Sequence, residues 1–147
     1  PSVFDAITAY DAGVDAILQY GGIDPREVRD LVYGAMFTRG PADLKNSAVF
    51  IGGTDVRQGE AMLQEAKPAF FGPLRVSVML DANGCNTTAT AAVVKIISAT
   101  EVRGRRVVVL AGTGPVGQRA AALLAKEGAD VVLTSRTLER ARSTCAP

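Results

Sequence analysis

An α/β fold with mostly parallel strands is what the sequence predicts. Three observations carry that expectation. Short apolar runs alternate with helical patterns along the whole chain. The strongest run, 105–111, enters a glycine-rich turn that leads into an Ala/Leu helix. A second apolar run, 131–134, follows that helix.

The elements follow in order. Val3, Phe4, Ile7, Val14, Ile17 and Leu18 recur near helical spacing over 3–20, with Gly13 as an interruption and Gly21-Gly22 as the stop. Asp24-Pro25-Arg26-Glu27 opens a short helix ending near Tyr33-Gly34: Asp24 caps, Pro25 suits the first helical position, and Glu27 closes the box. TRGPADLKN over 38–46 is a polar turn, and the segment before it reads as a weak strand. A strand over 47–51 ends at Gly52-Gly53, and Thr54 or Asp55 begins a helix that Pro68 ends. The strand 76–80 runs into a small and polar stretch, Asp81 to Thr88, and then a helix rich in Ala and Val. The strand 105–111, a helix over 115–127 stopped by Gly128, and the strand 131–134 complete the pattern.

Composition narrows the chemistry. Of 147 residues, 48% are hydrophobic, enough for one domain core or parts of two. Net charge is +1, and the basic residues are scattered apart from Arg103, Arg105 and Arg106, so no nucleic-acid partner is expected. There is no histidine, which removes histidine metal sites and histidine acid–base catalysis within this stretch. Cys85 and Cys145 lie outside any CxxC spacing, which suggests reduced thiols and a cytoplasmic setting. No run of 18 apolar residues is present, so no membrane span is expected. The start at Pro1 rather than Met, and the stop at Pro147 soon after a strand, suggest a piece of a longer protein.

Gly112-Thr113-Gly114-Pro115-Val116-Gly117 fits GxGxxG, and its strand–turn–helix context points to a dinucleotide. Gly112 allows the tight turn, Gly114 lets backbone approach a pyrophosphate, and Gly117 lets helix and strand pack closely. The helix start then offers free N–H groups and a positive dipole end. An NAD site usually has Asp or Glu at the end of the second strand. Here that region is Thr134-Ser135-Arg136-Thr137. Arg136 could pair with a 2′-phosphate and Ser135 and Thr137 could donate to it, which favours NADP. Arg136 read as a solvated strand-end arginine is the alternative, and Arg140 is a further phosphate candidate.

Ligands in open α/β folds gather beyond the carboxyl ends of strands. Three loops have that expected place: Thr38-Arg39-Gly40-Pro41, Gly52-Gly53-Thr54-Asp55, and Asp81 to Thr88. The third carries a carboxylate, amides and hydroxyls. Asn86 or Thr87 would serve as a helix cap without any substrate; the surplus suggests substrate contact. The candidates for it are Thr38, Arg39, Gly53, Asp81, Asn83, Asn86 and Thr87. Asp5, Asp11 and Asp15 share a helical side and read as a solvated face.

These stretches, above all DANGCNTTA and AGTGPVGQRAAALLAKEGA, resemble the NADP-dependent methylene-tetrahydromethanopterin and methylene-tetrahydrofolate dehydrogenases of methylotrophic bacteria. The likeness extends over essentially the whole chain, from PSVFD through TAYDAGVD, FTRGPADL and NSAVFIGG. It implies two α/β domains with a cleft between them and a homo-oligomer. Residues 1–100 would be the substrate-binding domain and 101–147 the first βαβ of a truncated Rossmann-type NADP-binding domain. It implies oxidation of a reduced pterin from its methylene to its methenyl form with NADP reduction. Gly112 to Gly117, Ser135 and Arg136 would lie on the cofactor, and the Asp81–Thr88 loop on the pterin. No metal is expected, and Asp81 is the candidate electrostatic catalytic residue. A shikimate- or quinate-type dehydrogenase and a non-catalytic NADP-binding regulator remain the rival readings.

Overall fold

The computed structural model describes residues 2–145. The chain divides into two compact units, one up to Asn83 and one from Gly84.

The first unit opens with α1, Val3–Asp11. Ser2 caps it, and the Asp5 carboxylate accepts from the Ser2 amide at 2.7 Å to close the box. Asp5 is therefore a capping residue. The apolar spacing predicts a helix to residue 20, but α1 stops at Asp11. Gly13 adopts φ +91°; its amide donates to the Tyr10 carbonyl at 2.9 Å, and the Val14 amide donates to Ala9 at 3.1 Å. This pair of bonds around a left-handed glycine is a complete helix stop. Residues 14–24 form neither helix nor strand.

Asp24 then caps as its sequence suggests. It accepts from the Arg26 amide at 2.9 Å, while Glu27 accepts from the Asp24 amide at 2.7 Å. A short 3-10 turn, Pro25–Glu27, leads into α2, Val28–Phe37. The expected stop at Gly34 does not occur. Val28, Val32 and Met36 form one buried stripe along α2. Burying Met36 gains about 1.5–3 kcal/mol, more than the roughly 1 kcal/mol that a mid-helix glycine costs. The segment before Thr38 is thus the end of a helix and not a weak strand.

Two parallel strands, β1 (Ala48–Ile51) and β2 (Ser77–Leu80), are joined by α3 (Val56–Ala66). Ala48 pairs with Ser77 and Ile51 with Leu80. Asp55 caps α3 by accepting from the Arg57 and Gln58 amides. A Cβ on Gly59 would stand 2.9 Å from Leu80 Cδ1 and 3.1 Å from Ala82 Cβ, so glycine there lets α3 lie close to β2. The core of the unit joins the α2 stripe to Leu44, Ala66, Ala69 and Val76.

The second unit contains α4 (Cys85–Ala99), β3 (Arg106–Val109), α5 (Pro115–Lys126), β4 (Asp130–Leu133) and α6 (Leu138–Cys145). β3 and β4 are parallel, with Arg106 opposite Asp130 and Val109 opposite Leu133. α5 ends on Gly128 at φ +90°, with the same pair of closing bonds that stops α1. Val93, Val102 and Leu124 are its buried centre, flanked by Val107, Val109 and Val131. Val93 belongs to α4. The expected domain boundary near residue 100 puts α4 in the first domain; the compact units divide ahead of it, because Val93 is buried with residues of β3 and α5. No described helix is long and apolar enough to cross a membrane.

Candidate functional site

The glycine turn lies between β3 and α5. Its start is tied to the end of β4: the Ala111 amide donates to Thr134 Oγ1 and the Gly112 amide to the Thr134 carbonyl, each at 3.0 Å. Ala111 is at φ +51°, a left-handed conformation that L-residues rarely adopt, so the turn carries local strain. A Cβ on Gly112 would stand 2.9 Å from the Val109 carbonyl oxygen and would overlap the Leu133 side chain. A Cβ on Gly117 would stand 2.7 Å from Gly112 Cα. Gly114 differs from both, since a Cβ there would meet nothing within 4 Å. Two glycines are thus required by packing, while the third exposes bare backbone to open space.

Gly114 is also the N-cap of α5, and no side chain caps the helix start; Pro115 occupies the first turn. The adjoining loop is held from two sides. Gln118 Nε2 donates to the Thr113 carbonyl at 2.7 Å, and the Thr113 and Ser135 hydroxyl oxygens are 3.4 Å apart. Thr113 is buried and Ser135 half-buried. Arg136 is exposed, and among the described residues it makes no ion pair. Thr137 has a local role, its hydroxyl accepting from the Arg140 amide at the start of α6. No carboxylate stands at 134–137.

The first unit brings two of the predicted loops together. β1 and β2 run parallel, so their carboxyl ends lie side by side. The Asp81 amide donates to Ile51 at 3.0 Å and the Asn83 amide to Gly53 at 2.6 Å. Gly53, Asp81 and Asn83 therefore form one rim. Asn83 is left-handed at φ 55°, which asparagine tolerates better than most residues, and Gly84 follows at φ 61°. Thr38 and Arg39 follow a helix, so the expectation drawn from strand ends does not extend to them.

Asn86 and Thr87 are not caps. The sequence places the helix start after Thr88, but α4 begins at Cys85 with left-handed Gly84 as N-cap and no capping side chain. The two left-handed residues turn the chain within a shorter loop than expected. Asn86 instead meets a residue that sequence reasoning missed: Arg119 Nε donates to Asn86 Oδ1 at 2.6 Å, and Arg119 Nη1 to the Pro115 carbonyl at 3.0 Å. A half-buried arginine beside the Ala120–Ala122 run, one turn into α5, is the available signal for it. Cys85 is a buried free thiol.

Among solution-facing groups, Asp24 has a resolved shift. The Arg26 side chain bonded to it lowers its pKa from 3.8 to about 2. It belongs to a cap and not to either loop rim. Among the described residues no group of three or more His, Cys, Asp or Glu side chains could hold a metal ion.

Each of the two units is thus built on a parallel strand pair, one with a polar rim at its strand ends and the other with a glycine turn between strand and helix. Residues 3–83 match the family described as methylene-tetrahydromethanopterin dehydrogenase, N-terminal, and the chain belongs to that family. It is 50% identical over 145 residues to the bifunctional protein MdtA of Methylorubrum extorquens, covering 97% of this chain and 50% of that protein. It is 34% identical over 151 residues to the NAD(P)-dependent methylenetetrahydromethanopterin dehydrogenase of the same organism, covering 99% and 51%. The chain thus spans about half the length of the curated relatives it matches.

Proposed function

We propose that the protein transfers hydride from methylene-tetrahydromethanopterin, or methylene-tetrahydrofolate, to NADP and releases the methenyl form. Membership of residues 3–83 in the dehydrogenase family is the observation that carries this reading. The glycine turn supports the cofactor part: Gly114 leaves open space over bare backbone at an uncapped helix start, which suits a pyrophosphate. On this reading the strand–helix–strand segment at 106–133 is the first part of a Rossmann-type NADP-binding domain, and residues before it bind the pterin.

NADP is favoured over NAD by residue chemistry at the end of β4. A carboxylate would repel a 2′-phosphate, and 134–137 has none. Arg136 is exposed and offers the planar donor fork that phosphate prefers. Ser135 is half-buried, with its hydroxyl oxygen 3.4 Å from that of Thr113 in the glycine turn.

When bound, NADP accepts the hydride. A methylene carbon held between two nitrogens loses hydride directly, and both nitrogens share the resulting positive charge. That step leaves no proton for a protein base to remove, which agrees with a stretch that lacks histidine. The work left to the protein is orientation, exclusion of water and electrostatics. Asp81, half-buried at the end of β2, would stabilise the cationic product, with Gly53 and Asn83 shaping the rim around it. Asn86 and Thr87, on the first turn of α4, would contact the pterin.

Steady-state NADP reduction by the protein at full natural length, with each methylene-pterin supplied in turn, tests the proposal. Turnover with at least one of them is expected. NADP binding without turnover on either would overturn the reading and favour a regulatory protein.

A further inference from the structure

Arg119 is not accounted for by the roles above, although it lies between two of the proposed binding segments. Its backbone belongs to the helix that the glycine turn starts. Its Nη1 returns to Pro115, the first residue of that helix, at 3.0 Å, and its Nε reaches Asn86 on the first turn of α4 at 2.6 Å. A guanidinium only donates, so the Asn86 atom it holds is the amide oxygen, and the orientation of the amide follows. The bond is short, charge-assisted and half-buried, the type that fixes geometry. The backbone around Asn86 is also held: Thr90 Oγ1 donates to the Asn86 carbonyl at 2.8 Å.

From this geometry we infer that Arg119 is a positioning residue. It transmits the placement of the cofactor helix to Asn86, so that the pterin-facing amide is correctly set relative to the nicotinamide dinucleotide. The inference rests on the proposed function, in which the glycine turn takes NADP and Asn86 faces the pterin. Arg119 touches neither ligand; it acts through Asn86. A purely structural arginine would change stability alone. A positioning arginine changes pterin kinetics while leaving dinucleotide affinity nearly intact.

The test uses the full-length protein in five forms: wild type, Arg119→Met, Asn86→Ala, the double variant, and Arg119→Lys as the conservative control. Thermal stability, NADP affinity by fluorescence titration, and kcat and KM for the methylene-pterin are measured for each. Arg119→Met is expected to lower kcat/KM for the pterin about ten-fold or more, with the NADP Kd changing less than about two-fold. The double variant is expected to lose no more than Asn86→Ala alone, since the two residues act as one unit. Arg119→Lys keeps a donor and is expected to recover part of the loss. Additive losses, or an unchanged kcat/KM in Arg119→Met, would overturn the inference while leaving the proposed function in place. A wild type without pterin turnover overturns the proposed function itself, and this inference with it. If Arg119→Met does not fold, Arg119→Lys and its combination with Asn86→Ala decide: a lysine variant of native stability with lowered pterin kcat/KM, and no further loss when Asn86→Ala is added, supports the inference, and a lysine variant of native stability with wild-type pterin kinetics, or with losses that add to those of Asn86→Ala, overturns it.

Discussion

Placing alanine at Gly114 and at Gly117 separates binding from folding within one turn. At Gly117 the new Cβ would stand 2.7 Å from Gly112 Cα and 2.8 Å from its carbonyl oxygen, against a normal contact distance of 3.4 Å or more. Both atoms are backbone and cannot swing aside, so α5 must shift by roughly 0.7 Å at its first turn. Overpacking of this type costs about 1–3 kcal/mol. Gly117→Ala should therefore lower the denaturation midpoint and weaken dinucleotide binding together. At Gly114 a Cβ meets nothing within 4 Å, and φ −83°, ψ 167° suits alanine. Stability should change by less than about 1 kcal/mol. Dinucleotide affinity should still fall about ten-fold or more, because the methyl occupies the space a phosphate needs and costs it a hydrogen bond to a charged group, worth about 1.5–3 kcal/mol. The assays are urea denaturation and NADP titration on each full-length variant. A Gly114→Ala protein with wild-type affinity would refute the claim that a pyrophosphate approaches that backbone.

Three further outcomes follow from named residues. Arg136→Gln should weaken NADP binding about ten-fold while leaving NAD binding nearly unchanged, measured by parallel titrations; equal losses for both cofactors would remove Arg136 from 2′-phosphate recognition. Asp81→Asn should lower pterin turnover about 10- to 100-fold with NADP affinity preserved, read from kcat and NADP Kd; unchanged turnover would end the electrostatic role. Asp24 has its pKa lowered from 3.8 to about 2, so the cap contribution is complete above 3.8 and is lost as pH falls toward 2. Carboxyl-carbon NMR titration should find it ionised at pH 3, and salt should weaken the shift, because the pair is exposed.

Local chemistry made much of the fold legible. The Asp24 box is complete within four adjacent residues, and Gly112 and Gly117 stand where a Cβ would meet neighbouring atoms. Where tertiary packing competes with local propensity, the sequence is less informative. Gly34 reads as a stop, yet the buried Met36 carries α2 through it. Gly13 reads as an interruption, yet its paired bonds end α1 outright. Asn83 and Gly84, both left-handed, bring the start of α4 forward and turn two expected caps into residues of the first helical turn. Arg119 has no motif of its own, because its significance depends on a partner 33 positions away. Gly53, Asp81 and Asn83 share a rim because parallel pairing aligns the ends of β1 and β2, a register that only the fold supplies.

The central claim is that a hydride passes from a pterin methylene carbon to NADP. Its most direct measurement uses methylene-pterin deuterated at that carbon, with full-length protein and NADP, followed by mass analysis of the reduced cofactor. Deuterium recovered in NADPH, with a matching methenyl product, is the predicted result. Reduced cofactor free of deuterium, or label lost to water, would contradict direct hydride transfer.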